Sequence, residues 1–408
     1  MKKNWLKRSL PSFCTSNFDV IKIILIYAKF YKLPVLVECT SNQVNQFGGY
    51  SGLKPKEFYK KVIFISKKIK FNKKYIIFGA DHLGPLPWKN LNKKNAFKNA
   101  KNLLKSISRE KFKKIHLDTT IACGNEKKFN LDKVRSRFFE LFKAISKKKL
   151  KNIYLVAGSE VPYAGGGDLK NNISKLNDVK KDYSIYNSII NQKKFNKREF
   201  ALVIEPGMFF TNDKVFKPNF KNLKNISKFS RKNHLFFEAH STDYQKIDVL
   251  KKLVKSNFKF LKVGPELTFK YHQSIKSMLD IEKRYTPSYF RSNLNKELNR
   301  IMKIKNKYWK SYYKGSSSKI NFLKFNSLLD RIRYYWNYGP VNKSKEKLFR
   351  NIDRVPKNYI QKKYLIIDGK TKNIFKKYKM KNSELIVFSF LRESLLKYYK
   401  ACGFKVFY

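Results

Sequence analysis

The residues best suited to chemistry begin in the stretch Tyr75 to Trp88. There an apolar run ends abruptly in Asp81-His82, and a loop rich in Gly and Pro follows. An apolar run bounded by turn residues reads as a buried strand. Buried charge is costly unless it is paired or bound to a metal, so Asp81 and His82 read as the lip of an active site. The bland alternative is an Asp that caps a turn beside an ordinary loop histidine. Recurrence of the same design argues against it. Further runs end in, or carry, Glu38, His116 with Asp118, Glu160, Glu205, Glu238-Ala239-His240, and Lys262 followed by Gly264. Histidine with carboxylate is the usual ligand set for Zn²⁺ or a similar divalent ion. The set read from these residues is His82, Glu205 and His240. His116 divides evenly between a site role and a structural hydrogen bond inside the fold. Asp81, Asp118 and Glu160 remain as acid–base candidates. Lys262 suits a phosphate or an enolate. A Schiff base is a further use of such a lysine, but the neighbouring ligand types favour metal chemistry.

These residues need a scaffold that brings the ends of many strands together. Eight short apolar runs occur: Leu10 to Cys14, Val35 to Glu38, Ile76 to Asp81, Ile115 to Asp118, Ile153 to Ser159, Ala201 to Glu205, Leu235 to His240 and Phe260 to Val263. Amphipathic segments of helical length separate them, among them Val20 to Lys32, Phe58 to Lys70, Ala96 to Ile107 and Arg135 to Ser146. Strands alternating with helices imply right-handed crossovers and a parallel sheet. Eight such units imply an α/β fold, a (β/α)8 TIM barrel over residues 1–283, with the polar strand ends around one mouth. An open nucleotide-binding sheet usually carries a glycine-rich loop after its first strand. Thr15-Ser16-Asn17 stands there instead, so no nucleotide cofactor is expected. In the barrel reading, Ser241-Thr242 and Gly264 follow strands seven and eight, where barrels often bind phosphate.

Beyond about Lys283 the alternation stops, and residues 284–408 read as a mainly helical, aromatic and Lys-rich extension. Tyr308 to Tyr313 and Asp330 to Trp336 are expected to be helical and Ser316 to Ser318 a loop. Interleaved aromatic and basic residues can stack on nucleic acid, but packing on the barrel or on another subunit of an oligomer is the stronger reading.

Composition narrows the classes. Lys+Arg number 91 against 29 Asp+Glu, a formal charge of +62. The lysines are spread along the whole chain, so the charge reads as compositional drift and not as a specific nucleic-acid surface, although low-salt binding to polyanions follows from it. No run approaches the roughly 18 apolar residues of a membrane span, and no apolar region follows the basic start, so no signal peptide is expected. Cys14, Cys39, Cys123 and Cys402 are scattered without CxxC spacing, as in a cytoplasmic protein with free thiols.

Five motifs carry a resemblance to a known family: Asn42-Gln43-Val44-Asn45-Gln46-Phe47-Gly48-Gly49-Tyr50, Asp81-His82-Leu83-Gly84-Pro85, Glu238 to Gln245, Lys262-Val263-Gly264-Pro265 and Asp330 to Trp336. The chain resembles the Z-subunit family of class II tagatose-1,6-bisphosphate aldolase, long described as the non-catalytic partner. The resemblance implies a TIM barrel related to class II ketose-bisphosphate aldolases, in which an Asp-His pair ends a strand. The Asp works in proton transfer and the His binds zinc. Asp81 and His82 match that pair, and His240 falls where a later zinc histidine is expected. Glu205 stands about where the remaining ligand belongs, at a position expected to be Gln in many Z subunits. Some members resemble ketose or ketose-phosphate 4-epimerases. The candidate catalytic residues are Asp81, Glu160, Asp118 and Glu38, of which the resemblance implies Asp81. Asn42, Gln43, Asn45, Gln46, Ser241, Thr242, Asp243, Lys262 and Gly264 are the candidate substrate-binding set. A divalent ion, Zn²⁺ or Mn²⁺, and a ketohexose phosphate or bisphosphate are expected. Catalysis on that substrate, by retro-aldol or C4-epimerising chemistry, stands beside the role of accessory subunit to a class II aldolase. Polyanion binding is the remote third.

Overall fold

All eight apolar runs form strands, within one to three residues of their expected limits. The computed structural model describes residues 8–124, 126, 131–151, 153–158, 173–192, 195–364 and 369–407. The strands are β1 (Leu10–Cys14), β2 (Val35–Thr40), β3 (Ile76–Leu83), β4 (Phe112–Asp118), β5 (Tyr154–Gly158), β6 (Phe200–Val203), β7 (Phe236–Ala239) and β8 (Phe258–Val263). Each pairs in parallel with its neighbours in chain order, and β8 pairs with β1 to close the barrel. Between the strands lie α1 (Phe18–Phe30), α2 (Pro55–Lys68), α3 (Lys93–Arg109), α4 (Leu131–Lys143), the single turn α5 (Lys147–Leu150), α6 (Leu176–Gln192), α7 (Phe220–Lys232) and α8 (Ile247–Lys255). After β8 comes α9 (Pro265–Tyr285). Asn17, Asn92 and Asn219 cap α1, α3 and α7 by accepting backbone N–H bonds in the first turn.

Side-chain alternation along the strands builds two different interiors. One set, including Phe13, Val37, Phe78, Leu117, Leu155, Leu202, Phe237 and Leu261, packs outward in a continuous core under the helices. The other set points into the barrel. Leu10, Leu36, Ile77, Val156, Ala201, Val203 and Phe260 form a separate small apolar cluster there. The next inward positions toward the mouth are polar: Ser12, Glu38, Lys114, His116, Glu238 and Lys262, all buried. Gly79 is part of this layer because a Cβ there would stand 2.4 Å from Glu38 Oε1. The glycine makes room for that carboxylate.

The chain after α9 forms α10 (Leu294–Ile304), α11 (Ser317–Asn326), α12 (Gly339–Asp353), α13 (Lys357–Tyr364), α14 (Gly369–Tyr378) and α15 (Asn382–Ala401). Helix α15 returns to the barrel. Tyr399 packs on Phe13 of β1 at 5.6 Å and on Tyr27 of α1 at 6.0 Å, and its hydroxyl donates to the Pro34 carbonyl at 2.9 Å. This cover explains why α1 is apolar nearly all round, with eight of its residues buried from Val20 to Ala28. Two expectations in this region need correction. Tyr308–Tyr313 and Asp330–Trp336 do not form α-helices; each contributes only a 3₁₀ turn, Asn306–Tyr308 and Arg331–Tyr334. Asp330 is left-handed at φ 43°, and the tyrosines stack on one another instead of lining one helical face. Ser316 to Ser318 is not a free loop either. The Ser316 hydroxyl caps α11 by accepting from Lys319 N–H, and Ser317 and Ser318 are its first residues. Among the described residues, no helix is long and apolar enough to cross a membrane.

Candidate active site

In a regular strand Asp81 and His82 would point to opposite faces. They do not, because β3 is bulged. Ala80 pairs with Ile115 and Leu83 with Leu117, so two residues of β3 face the single His116 of β4. A bulge bends the strand and re-aims its side chains. His82 takes up the change with φ 49°, a conformation uncommon outside Gly and Asn and often found at functional sites. Both side chains then reach the same group. Lys262 Nζ on β8 donates to Asp81 Oδ2 and lies 2.8 Å from His82 Nε2. Asp81 Oδ1 is 2.8 Å from His116 Nδ1, and Asp81 Oδ2 is 3.2 Å from His82 Nε2. His82 Nδ1 lies 3.7 Å from Asp118 Oδ2.

The three barrel histidines converge. The rings of His82, His116 and His240 stand 5.0 to 5.3 Å apart, centroid to centroid. Beneath them lies a second charged group. Lys114 Nζ sits 2.5 Å from Glu38 Oε1 and 2.6 Å from Glu238 Oε2, and His240 Nε2 is 2.9 Å from Glu238 Oε1. Burial pushes the His116 imidazole down to about 4, with His82 adding to the effect. Burial also lowers His240 to about 3, against the pull of Glu238. Both are therefore neutral near pH 7. Burial alone would raise Glu238, but Lys114 and His240 hold it well below the usual carboxylate range. Burial lowers Lys262 against the opposing pull of Cys14 and Glu38.

This set fits a divalent ion. One ligand atom each from Asp81, His116, Glu238 and His240 lies within 4.8 Å of every other. His116 Nε2 is buried and has no hydrogen-bond partner. Glu38 and Glu238 face Lys114, Asp81 faces Lys262 and Asp118 faces His82, all buried, so four carboxylates stand against two ammonium groups and leave two formal negative charges. Buried charge of that size calls for a counter-ion.

The expected residues divide by position. His82, His240, Asn42, Gln43, Asn45, Ser241, Asp243, Lys262 and Gly264 line one cavity of about 530 Å³ at the mouth, within the ~300–1,000 Å³ range of small-molecule sites. Several are occupied by structural bonds. Asn45 ties the β2 loop by donating to the Ser41 carbonyl and accepting from Phe47 and Gly49 N–H. Gln46 donates to the Asn99 carbonyl, and Thr242 to the Lys262 carbonyl; neither lines the cavity. Asp243 Oδ1 accepts from Gly264 and Glu266 N–H. Glu205 does not join the converging group. Its Oε1 accepts from Gly207 and Met208 N–H, and burial outweighs those bonds to raise its carboxyl to about 8. Glu238 is the carboxylate beside His240 instead. Glu160 lies outside the described residues. Sequence reasoning missed Lys114 and noted Glu238 at its strand end without giving it a role, yet a signal existed. Lys114 is two residues before His116 and Glu238 two before His240, so each shares its partner's strand face. The other part of the cavity lining comes from the C-terminal extension: Lys307, Tyr308, Tyr312, Arg331, Arg333 and Tyr334.

Known proteins give this geometry a context. The crystal structure of a probable tagatose 6 phosphate kinase from Sinorhizobium meliloti 1021 is similar at 27% identity and TM-score 0.82, over 97% of this chain and all of that one. A fructose-bisphosphate aldolase from Campylobacter jejuni matches at 15% identity and TM-score 0.44, over 84% of this chain and 87% of that one. A family model described as D-tagatose-1,6-bisphosphate aldolase subunit GatZ/KbaZ-like matches residues 1–403. A closed barrel whose mouth carries the Asp81-His82 bulge, matched along almost its whole length by that model, belongs to the GatZ/KbaZ-like family of D-tagatose-1,6-bisphosphate aldolase subunits.

Proposed function

We propose that this barrel acts on a ketohexose phosphate of the tagatose type, in tagatose-bisphosphate-aldolase-type carbohydrate metabolism. The chemistry is cleavage at the bond between carbons 3 and 4, or epimerisation at carbon 4. The observation that carries this reading is Asp81, whose carboxylate lies among His82, His116 and Lys262 beneath the cavity. In the proposed step Asp81 takes the proton of the carbon 4 hydroxyl. The O–H electron pair forms the carbonyl at carbon 4, and the pair of the carbon 3–carbon 4 bond moves to carbon 3. Lys262 and His82, in contact with each other, hold the neighbouring oxygens. A divalent ion, Zn²⁺ or Mn²⁺, held by His82, His116, His240 and the adjoining carboxylates would stabilise the charge that develops on those oxygens. Asp118 accepts from Thr120 N–H and hydroxyl and, 3.7 Å from His82 Nδ1, orients that ring. Four free, buried cysteines suit a reducing cytoplasm, where sugar phosphates reside.

One observation favours a second reading. Lys262 already engages both Asp81 and His82, so an ammonium stands where substrate oxygens or a cation would bind. An accessory subunit that stabilises a separate class II aldolase, as the family's description as a subunit suggests, needs no open catalytic group. The deciding experiment is an assay of the purified protein alone, with Zn²⁺ or Mn²⁺, on tagatose and fructose mono- and bisphosphates. Asp81→Asn should lower turnover on the order of 10²-fold or more, the usual scale for general acid–base catalysis. Full activity in Asp81→Asn would remove the mechanism. Inactivity alone, with restored stability of an added class II aldolase, would establish the accessory role.

A further inference from the structure

The barrel's usual phosphate cradle is filled from within. After strand eight of a barrel, backbone N–H groups and a helix N-terminus commonly hold a phosphate. Here Gly264 N–H and Glu266 N–H, at the start of α9, donate to Asp243 Oδ1 at 2.9 and 2.8 Å. A carboxylate of the chain itself thus occupies the position an anion would take. Asp243 is also the single carboxylate among the described residues that line the cavity, and its bonds are turned toward those amides.

Apart from Lys262, which is paired with Asp81, the positive charge of the cavity lies elsewhere. The 3₁₀ turn Arg331–Tyr334 and Lys307 bring three cations to the lining from the extension. Arg331 is only 6% exposed. Its Nε donates to the Tyr308 carbonyl at 2.5 Å, and its guanidinium lies over Tyr312 at 3.5 Å and Tyr334 at 4.8 Å from the ring centroids. Arg333 Nη1 donates to the Asp330 carbonyl at 3.0 Å and its Nη2 to the Tyr334 hydroxyl at 3.1 Å. Tyr334 is clamped in turn by Tyr308 at 4.7 Å and Tyr50 at 4.5 Å. These contacts fix two guanidinium groups, and the buried Asp330 carboxylate acts on Arg333 only through space, without a direct ion pair. No ion pair joins Arg331 or Arg333 to a carboxylate among the described residues, and the carboxylate of their neighbour Asp330 lies 3.7 Å from His272 Nδ1. An arginine that served packing alone would gain from a carboxylate partner. Two held rigid, stacked and without a direct carboxylate partner on a cavity wall match the planar, bidentate recognition of phosphate.

We infer that Arg331, Arg333 and Lys307 form the binding site for a phosphate monoester, the phosphate end of the sugar whose carbons meet Asp81. The extension then completes the substrate site, and the barrel alone lacks its phosphate anchor. The inference deepens the proposed function and rests on it for the identity of the sugar, but not for the anion site itself.

Calorimetric titration with inorganic phosphate, D-tagatose 1,6-bisphosphate and unphosphorylated D-tagatose tests it in the wild type, Arg333→Gln, Arg333→Lys and Lys307→Ala. Lys307 is exposed, so its truncation leaves the fold intact even if an arginine variant does not. Arg333→Gln is expected to weaken phosphate and bisphosphate binding on the order of 10- to 100-fold, and Lys307→Ala by a smaller factor. Arg333→Lys should recover only part, and affinity for unphosphorylated tagatose should not change. Unaltered phosphate affinity in Arg333→Gln and Lys307→Ala, or no phosphate binding by the wild type, overturns the inference. Phosphate binding that the variants lose, in a protein that turns over no sugar phosphate, keeps the anion site and removes the proposed function. Turnover that none of the variants changes in KM keeps the function and removes the site.

Discussion

Replacing Lys114 with Met isolates the charged layer inside the barrel. Lys114 Nζ is 2.5 Å from Glu38 and 2.6 Å from Glu238, and all three side chains are 0–1% exposed. Removing one partner of a buried ion pair typically costs about 3–5 kcal/mol, because a charge is left uncompensated. Here two carboxylates lose their shared cation. Their escape is to take up a proton. Holding one ordinary carboxyl protonated at pH 7, from a reference of 4.5, costs about 3.4 kcal/mol at 1.36 kcal/mol per unit. Both routes give a loss of about 3–5 kcal/mol, a large part of the ~5–15 kcal/mol that holds a typical protein folded. Urea denaturation should show a lower midpoint with the same slope. The pH dependence carries a sign. Glu238 is held below its unfolded value by Lys114 and His240 despite burial, so its stabilisation is present above about pH 4.5 and is lost as pH falls toward the native value. Without Lys114, burial is opposed only by His240 and His116 and favours the protonated form more strongly. The gap between wild type and Lys114→Met should be widest near pH 7 and narrow below about pH 4.5. Replacing Lys114, Glu38 and Glu238 together with Met should recover most of the loss, since apolar groups of similar volume often substitute for a whole buried ion group without penalty. A midpoint for Lys114→Met within error of wild type at pH 7 would refute the argument.

Glu205→Gln separates a ligand from a structural group. The native carboxyl holds its proton to about pH 8 against 4.5 in the unfolded chain. Wild-type stability should therefore fall as pH rises through that window, and Glu205→Gln should exceed it by about 4 kcal/mol at pH 8.5 while nearly matching it at pH 4.5. An equal difference at both values, or a fall in metal content measured by elemental analysis, would restore Glu205 as a ligand. Deleting residues 382–408 removes α15, including buried Leu385, Phe388, Leu391, Leu395, Tyr398 and Tyr399. At about 1.5–3 kcal/mol per side chain, the loss is as large as typical total stability, so the truncated chain should be insoluble or show no cooperative unfolding by circular dichroism. A soluble, cooperative barrel would show that the extension is an independent unit.

Much of this molecule is local enough to be read from the chain. The eight strands are legible because each is a short apolar run bounded by turn residues, and a parallel barrel buries both faces of its strands. Asp81-His82 and His240 are legible because charge at the end of an apolar run is costly and therefore purposeful. What sequence alone did not decide depends on how strands and helices meet. Register gave β3 its bulge, and the bulge turns Asp81 and His82, neighbours that a flat strand would send apart, toward one lysine. Barrel closure brought Lys114 of β4 between Glu38 of β2 and Glu238 of β7, three residues whose separation in sequence conceals a contact of about 2.5 Å. The same closure left Glu205 to its own loop and gave its expected place beside His240 to Glu238. The aromatic and basic turn at Arg331–Tyr334, read as packing material, lines the cavity because it packs against α9 and α11 and its Tyr334 meets Tyr50 of the loop after β2. Composition and periodicity report what each residue avoids or seeks in its own segment. Which charges finally share a layer is set by strand register and by the return of distant helices, and neither is written in any one stretch of the chain.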